Sequence, residues 1–258
     1  MSSTIFRISS RSTAQRSSVE RRIGGQAGRV KRQGSGVSGL GGRHPGFKFP
    51  PVKVPPRPAE PGELIPGDYF RRLSPDELFT TEAPLEVDLG CGDGTFALAM
   101  ARQFPERNFL AVERLLGRVR KVCRRASEAD LENLRVLRLE ARYTVEWLLP
   151  HASVSRLHLL FPDPWPKARH HRRRLVQQDF LKALGKILIP GGEFLFKTDH
   201  EEYFEWAREE LELFGSFEPL PWDERCEDLS FYPETDFEAQ WRAEGRAVHQ
   251  LRMRNPAT

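Results

Sequence analysis

From Leu85 onward, short apolar runs alternate with segments of helical period, and this alternation leaves little choice of architecture. Leu85–Leu89, Phe109–Val112, Leu134–Leu139, Val154–Phe161 and Glu193–Lys197 read as strands. Between them, Phe96 to Phe104, Leu116–Ala129 and Tyr143–Leu149 read as helices, as does the run Val176, Phe180, Leu184, Ile187, Leu188 with its spacings of three and four. Ile189-Pro190-Gly191-Gly192 reads as a turn ahead of the fifth strand. Strand and helix in regular alternation predict an α/β fold with a doubly wound, mostly parallel sheet. Tyr203–Phe214 adds a helix, and Phe217–Pro221 and Ala247–Arg254 add late strands, which brings an antiparallel strand into the sheet.

Four of the predicted strands end in or beside an acid: Glu113, Glu140, Asp163 and Asp199. Open α/β sheets bind ligands at the carboxyl ends of their strands, so a row of carboxylates there reads as a site. The first strand runs into Gly90-x-Gly92-x-Gly94 and then a helix. Glycines in that turn permit positive φ and close approach of a ligand to the backbone. The third glycine comes one residue too early for a dinucleotide fingerprint. Glu113 follows Gly94 by 19 residues, where an acid can accept both hydroxyls of an adenosine ribose. Together these features point to an adenosine-bearing cofactor without a pyrophosphate, a description that S-adenosylmethionine meets. Glu86, beneath the glycine turn, is the candidate for the cofactor's amino-acid end.

The densest stretch is Phe161–Arg174, FPDPWPKARHHRRR. Pro162, Pro164 and Pro166 restrict the backbone around Asp163 and Trp165. Seven cationic or titratable side chains follow, from Lys167 to Arg174. Placed at the start of the predicted helix they would oppose its dipole, and the phosphates of a polynucleotide are the natural compensating charge. The adjacent histidines lack the spacing of a metal site, so no metal is expected. A later run, Thr235-Asp236-Phe237-Glu238, reads equally as a capping box or as part of a site.

Composition sets the limits. Residues 1–44 hold eight Arg and one Lys against one Glu, a net +8, which leaves −4 for the remainder of a chain of net +4. The basic character therefore belongs to a Ser-, Gly- and Arg-rich tail expected to be disordered. Its composition resembles a transit peptide, but reads more simply as a solvated tail attracted to phosphates. Residues 45–83 form a proline-rich arm and lead-in, and residues 84–258 the folded domain. No apolar run reaches the roughly 20 residues of a membrane span. The three cysteines are spaced for neither disulfides nor zinc, so a cytoplasmic protein is expected.

Taken together, EVDLGCGDG, AVER, LFPDPWPKARHHRRRL, LIPGGEFLFKTD and TDFEAQW with Gly245 resemble the bacterial tRNA (guanine-N7-)-methyltransferase family from Leu85 to Arg254. The resemblance implies a Rossmann-like, class I S-adenosylmethionine-dependent methyltransferase, monomeric or homodimeric. Its product would be 7-methylguanosine at the variable-loop guanine, position 46, of tRNA. It further implies Glu86, Gly90, Gly92, Glu113, Glu140 and Asp163 as cofactor-binding residues and Asp163 as the catalytic one. Lys167, Asp199, Thr235, Asp236, Phe237 and Glu238 become substrate contacts. Glu140 stands where the family more often has Asp or Asn. Guanine N7 carries a free lone pair and needs no deprotonation, so the protein's task is positioning and charge placement. Two other readings stay open: an exocyclic-amine nucleic-acid methyltransferase, and a non-catalytic RNA-binding module on the same fold.

Overall fold

The computed structural model of the protein describes residues 57–222 and 229–256. The expectations for the basic tail and for the first part of the proline-rich arm lie outside these residues. In chain order the elements are β1 (Glu63–Leu64), α1 (Pro75–Leu78), β2 (Leu85–Leu89), α2 (Thr95–Gln103), β3 (Asn108–Val112), α3 (Leu116–Glu128), β4 (Leu134–Leu137), α4 (Ala141–Tyr143), β5 (Val154–Leu160), α5 (Gln178–Ile187), β6 (Leu188–Thr198), α6 (Glu201–Phe214), β7 (Glu218–Leu220), α7 (Asp236–Ala243) and β8 (His249–Arg254). A π-helical turn, Thr144–Leu148, continues α4, and a 3-10 helix covers Ala168–Arg173.

The strands form one sheet in the order β1-β4-β3-β2-β5-β6-β8-β7. Pairing is parallel from β1 to β6, and β8 runs against both of its neighbours. The mostly parallel sheet with a late antiparallel strand is thus present. The lead-in contributes to it, because β1 extends the sheet beyond β4. The expected turn at Ile189–Gly192 lies inside β6. There the register against β5 shifts, and Gly191 and Gly192 bond to Asn255 at 2.8 and 2.7 Å. These backbone groups find partners across the strand, so the strand bulges and continues.

Strand alternation sorts the side chains to two faces. Leu85, Val87 and Leu89 join the core under α5 and α6, around Phe180, Leu184 and Tyr203. Phe109, Ala111, Leu134 and Val136 pack on the other face against α2 and α3. Glu86 and Asp88, at the intervening positions of β2, are buried as well. The chain leaves β2 for β3 on one side and places β5 on the other, so the order reverses at the β2/β5 boundary, where such sheets open a crevice. No helix among the described residues is long and apolar enough to cross a membrane.

Gly94 caps α2 at φ +79°, and a Cβ there would lie 2.7 Å from Val122 Cγ2 of α3. The early third glycine therefore serves helix packing. Gly94→Ala combines a left-handed backbone with a clash. It should cost about 2–4 kcal/mol, read as a lowered denaturation midpoint with an unchanged m-value.

Candidate active site

A cleft of about 630 Å³ opens where β2, β3 and β5 end, within the range of small-molecule sites. Asp88, Gly90, Gly92, Glu113, Glu140, Asp163, Trp165, Arg173, Thr235, Asp236 and Phe237 all line it. The sheet thus gathers carboxylates more than 70 positions apart in the chain. Gly90 and Gly92 have φ of +80° and +57°, with open space where a Cβ would stand. The turn therefore presents bare backbone to whatever occupies the cleft.

Glu86 does not line the cleft. Its Oε2 is 2.8 Å from His158 Nε2 and its Oε1 accepts from Arg107 at 2.8 Å. Burial pushes its carboxyl up, but the partners His158, Arg156 and Arg107 outweigh this and hold it well below the usual range. His158 Nδ1 in turn lies 2.8 Å from the Tyr232 hydroxyl. Glu86 is a structural charge beneath the site.

Asp88 stands two positions further along β2. It lines the cleft, is 6% exposed, and its Oδ2 has no hydrogen-bond partner among the described residues. Burial, with the Glu113 carboxylate nearby, pushes its carboxyl up to about 7. A buried unpaired acid beside a second acid requires a cation or donor to complete it. The ammonium group of S-adenosylmethionine has that chemistry, so the residues present fit the cofactor. The sequence held a signal for this choice: Asp88 is nearer the carboxyl end of β2, where ligands bind. Glu113 Oε1 accepts from Leu115 N at 2.8 Å, and Glu140 Oε2 caps α4 by accepting from Tyr143 N at 2.8 Å. Both carboxylates are thereby fixed in direction at the cleft.

Opposite them stands the loop after β5. Asp163 is exposed and bonds to none of the described residues. Phe161 and Trp165, on either side, hold φ of +51° and +45°, and left-handed backbone in large residues costs of order 1–3 kcal/mol each. Arg174 secures the loop from behind. It is fully buried, donates Nε to Pro164 O at 2.9 Å, and lies 5.2 Å from the rings of both Tyr203 and Trp206. Arg173 stacks 4.8 Å over Trp165. No periodicity in the sequence distinguishes Arg174 from its exposed neighbours.

The basic run does not crowd the start of α5. It forms the separate 3-10 helix, with Leu175 to Gln177 before α5 begins, so opposition to the α5 dipole does not arise. Arg169, Arg172 and Arg173 are exposed all the same. Lys167 is exposed and lies outside the cleft lining, and Asp199 is likewise absent from the lining, its Oδ2 accepting from Arg246 at 3.1 Å.

Only half of the capping box forms. Thr235 Oγ1 accepts from Glu238 N at 3.0 Å, but the Glu238 carboxylate turns inward and is fully buried. It is therefore not available as a surface contact. Thr235, Asp236 and Phe237 do reach the cleft, and Asp236 Oδ2 accepts from Thr95 at 2.9 Å.

The sequence family described as "Putative methyltransferase" matches residues 82–251. The chain is 37% identical to the tRNA (guanine-N(7)-)-methyltransferase of Syntrophotalea carbinolica over 69% of its length and 78% of that protein. It is 38% identical to the enzyme of that name from Halorhodospira halophila over 68% and 77%. With the Thermotoga maritima enzyme it shares 35% identity over 71% of this chain and 58% of that one. Among solved structures it is similar in fold to the 16S rRNA methyltransferase KamB, with a TM-score of 0.53 and 20% identity over 72% of this chain and 95% of that one.

Proposed function

We infer that this chain, which belongs to the tRNA (guanine-N7-)-methyltransferase family, forms 7-methylguanosine at the variable-loop guanine, position 46, in the cleft between Asp88 and Phe237. S-adenosylmethionine, the donor the family implies, supplies a methyl group on a cationic sulfur. The observation that carries the residue assignment is the pairing of two unsatisfied acids across one cleft. Asp88 is buried and its Oδ2 lacks a partner among the described residues; Asp163 is exposed on a loop locked by Arg174. The first suits a cofactor cation and the second an incoming base.

In this reading Asp88 holds the ammonium, Glu113 the ribose hydroxyls, and Glu140 the adenine end. The open faces of Gly90 and Gly92 admit the cofactor to the backbone. Asp163 orients the guanine and offsets the positive charge that develops on the purine ring as N7 gains a methyl. Phe237, 47% exposed, and Trp165 offer flat apolar surface to a base, as aromatic side chains do in single-stranded RNA recognition. Arg169, Arg172 and Arg173 face phosphates, whose contacts position the substrate without reading its sequence.

The test is incubation of the protein with labelled S-adenosylmethionine and unmodified tRNA, followed by nucleoside analysis. Labelled 7-methylguanosine is expected, recognisable by ring opening in mild alkali, and its formation should cease with tRNA carrying adenine at position 46. Label persisting in that tRNA would reject the position. An alkali-stable methylated nucleoside would transfer the loop to the exocyclic-amine chemistry.

A further inference from the structure

Helix α7 carries Asp236 and Phe237 into the cleft lining, yet has almost nothing apolar to hold it there. Its one buried side chain is a carboxylate, Glu238. A helix of eight residues is not stable by itself, so tertiary contacts must seat it, and the buried one is charged. Glu238 Oε1 and Oε2 accept from Lys197 Nζ at 2.9 and 3.0 Å, and Oε1 also accepts from Arg242 Nη2, one turn on in α7, at 2.9 Å. The two side chains are 0% and 2% exposed. Lys197 stands at the end of β6, flanked by β5 and β8, and its ammonium lies 5.2 and 4.9 Å from the rings of Trp222 and Tyr232. In that desolvated place its charge has to be met, and Glu238 meets it. Just beyond the strand, Asp199 pairs at 3.1 Å with Arg246, which follows α7. Both ends of the helix are thus tied to the end of one strand.

We propose that Lys197 and Glu238 are positioning residues. They form a buried latch that seats α7 so that Asp236 and Phe237 face the cleft, with Asp199–Arg246 as a more exposed outer clasp. Glu238 acts through Lys197 and does not touch RNA, in contrast to the role the family resemblance implies for it. The consequence for substrate binding rests on the reading that α7 meets tRNA.

The test uses the full chain. Glu238→Gln keeps the size and removes the charge without altering the strand, and Lys197→Met removes the other partner. Each should lower hydrogen-exchange protection over residues 236–243 by at least about tenfold, while β5 and α5 keep theirs. Each should raise KM for tRNA by about 100-fold, the scale of stripping one partner from a buried pair, with cofactor Kd within about threefold. Lys197→Met combined with Glu238→Met, an apolar replacement of the whole pair, should recover both readouts to within about tenfold of wild type. Unchanged protection over α7 in both single variants overturns the latch, as does a double variant no better than the worse single one. Lost protection with unchanged KM for tRNA upholds the latch and removes α7 from substrate recognition. Phe237→Ala, which leaves the pair intact, tests that recognition separately.

Discussion

Asp163→Ala should lower the rate of methyl transfer by about 10²–10³-fold, the scale of losing one preorganised electrostatic group, with the melting temperature unchanged. The stability part follows from the geometry. Asp163 is exposed and bonds to none of the described residues, so its removal breaks nothing in the protein. The loop remains held through Pro164 and Arg174. The rate part follows from charge. Guanine is neutral before the reaction and cationic after methylation at N7, so an adjacent carboxylate binds the late structure more tightly than the early one and acts on kcat. Asp163→Asn separates the two duties, because the amide can still orient the base but carries no charge. Single-turnover rates near wild type in the alanine variant would remove Asp163 from the mechanism. Recovery in the asparagine variant would assign it to orientation alone.

The second large effect belongs to Asp88. Asp88→Asn should weaken cofactor binding on the order of 10²-fold, as expected for losing a charge-assisted bond in a buried site, measured by calorimetry. It should also change two pH dependences, and their signs follow from the raised carboxyl. Without cofactor the folded protein keeps Asp88 protonated up to about 7, whereas the unfolded chain releases that proton near 3.8. Between those values the folded state binds more protons, so the wild-type apoprotein loses stability relative to Asp88→Asn as pH rises, and the difference levels off above them. A cationic ligand favours the ionised carboxylate. Cofactor affinity should therefore increase as pH rises toward about 7, with a proton released on binding below that point. The variant should show neither effect. Equal affinities for wild type and Asp88→Asn at pH 8 would reject the assignment.

Arg174 explains how an exposed acid is held in register with a buried one. Two large residues in left-handed conformation are maintained only where the surroundings over-determine them. A fully buried guanidinium bonded to the loop's own carbonyl supplies that constraint. The same division recurs at α7, where Asp236 and Phe237 face the cleft and Glu238 faces inward. Adjacent residues on a short helix point in different directions, so one motif holds both site residues and their support.

The strand and helix order, the parallel sheet and the row of acids at its edge were legible in the sequence, because periods of two and near 3.6 record which face of each element is buried. Gly90, Gly92, Glu113, Glu140, Asp163 and the Thr235–Phe237 run line one cleft because each stands at the boundary of an element. The placements that local pattern did not reveal have one physical origin. Glu86 and Asp88 lie on one face of β2, and only the neighbouring strands decide that His158, Arg156 and Arg107 neutralise the first and leave the second open. Lys197 and Glu238 are 41 positions apart and look like solvent residues until the sheet brings them together. Local pattern determined the elements and the edge at which the site lies. Which charges are satisfied within the protein, and which are left for a ligand, depends on pairings across the sheet that no local period encodes, and that was decided by the tertiary structure alone.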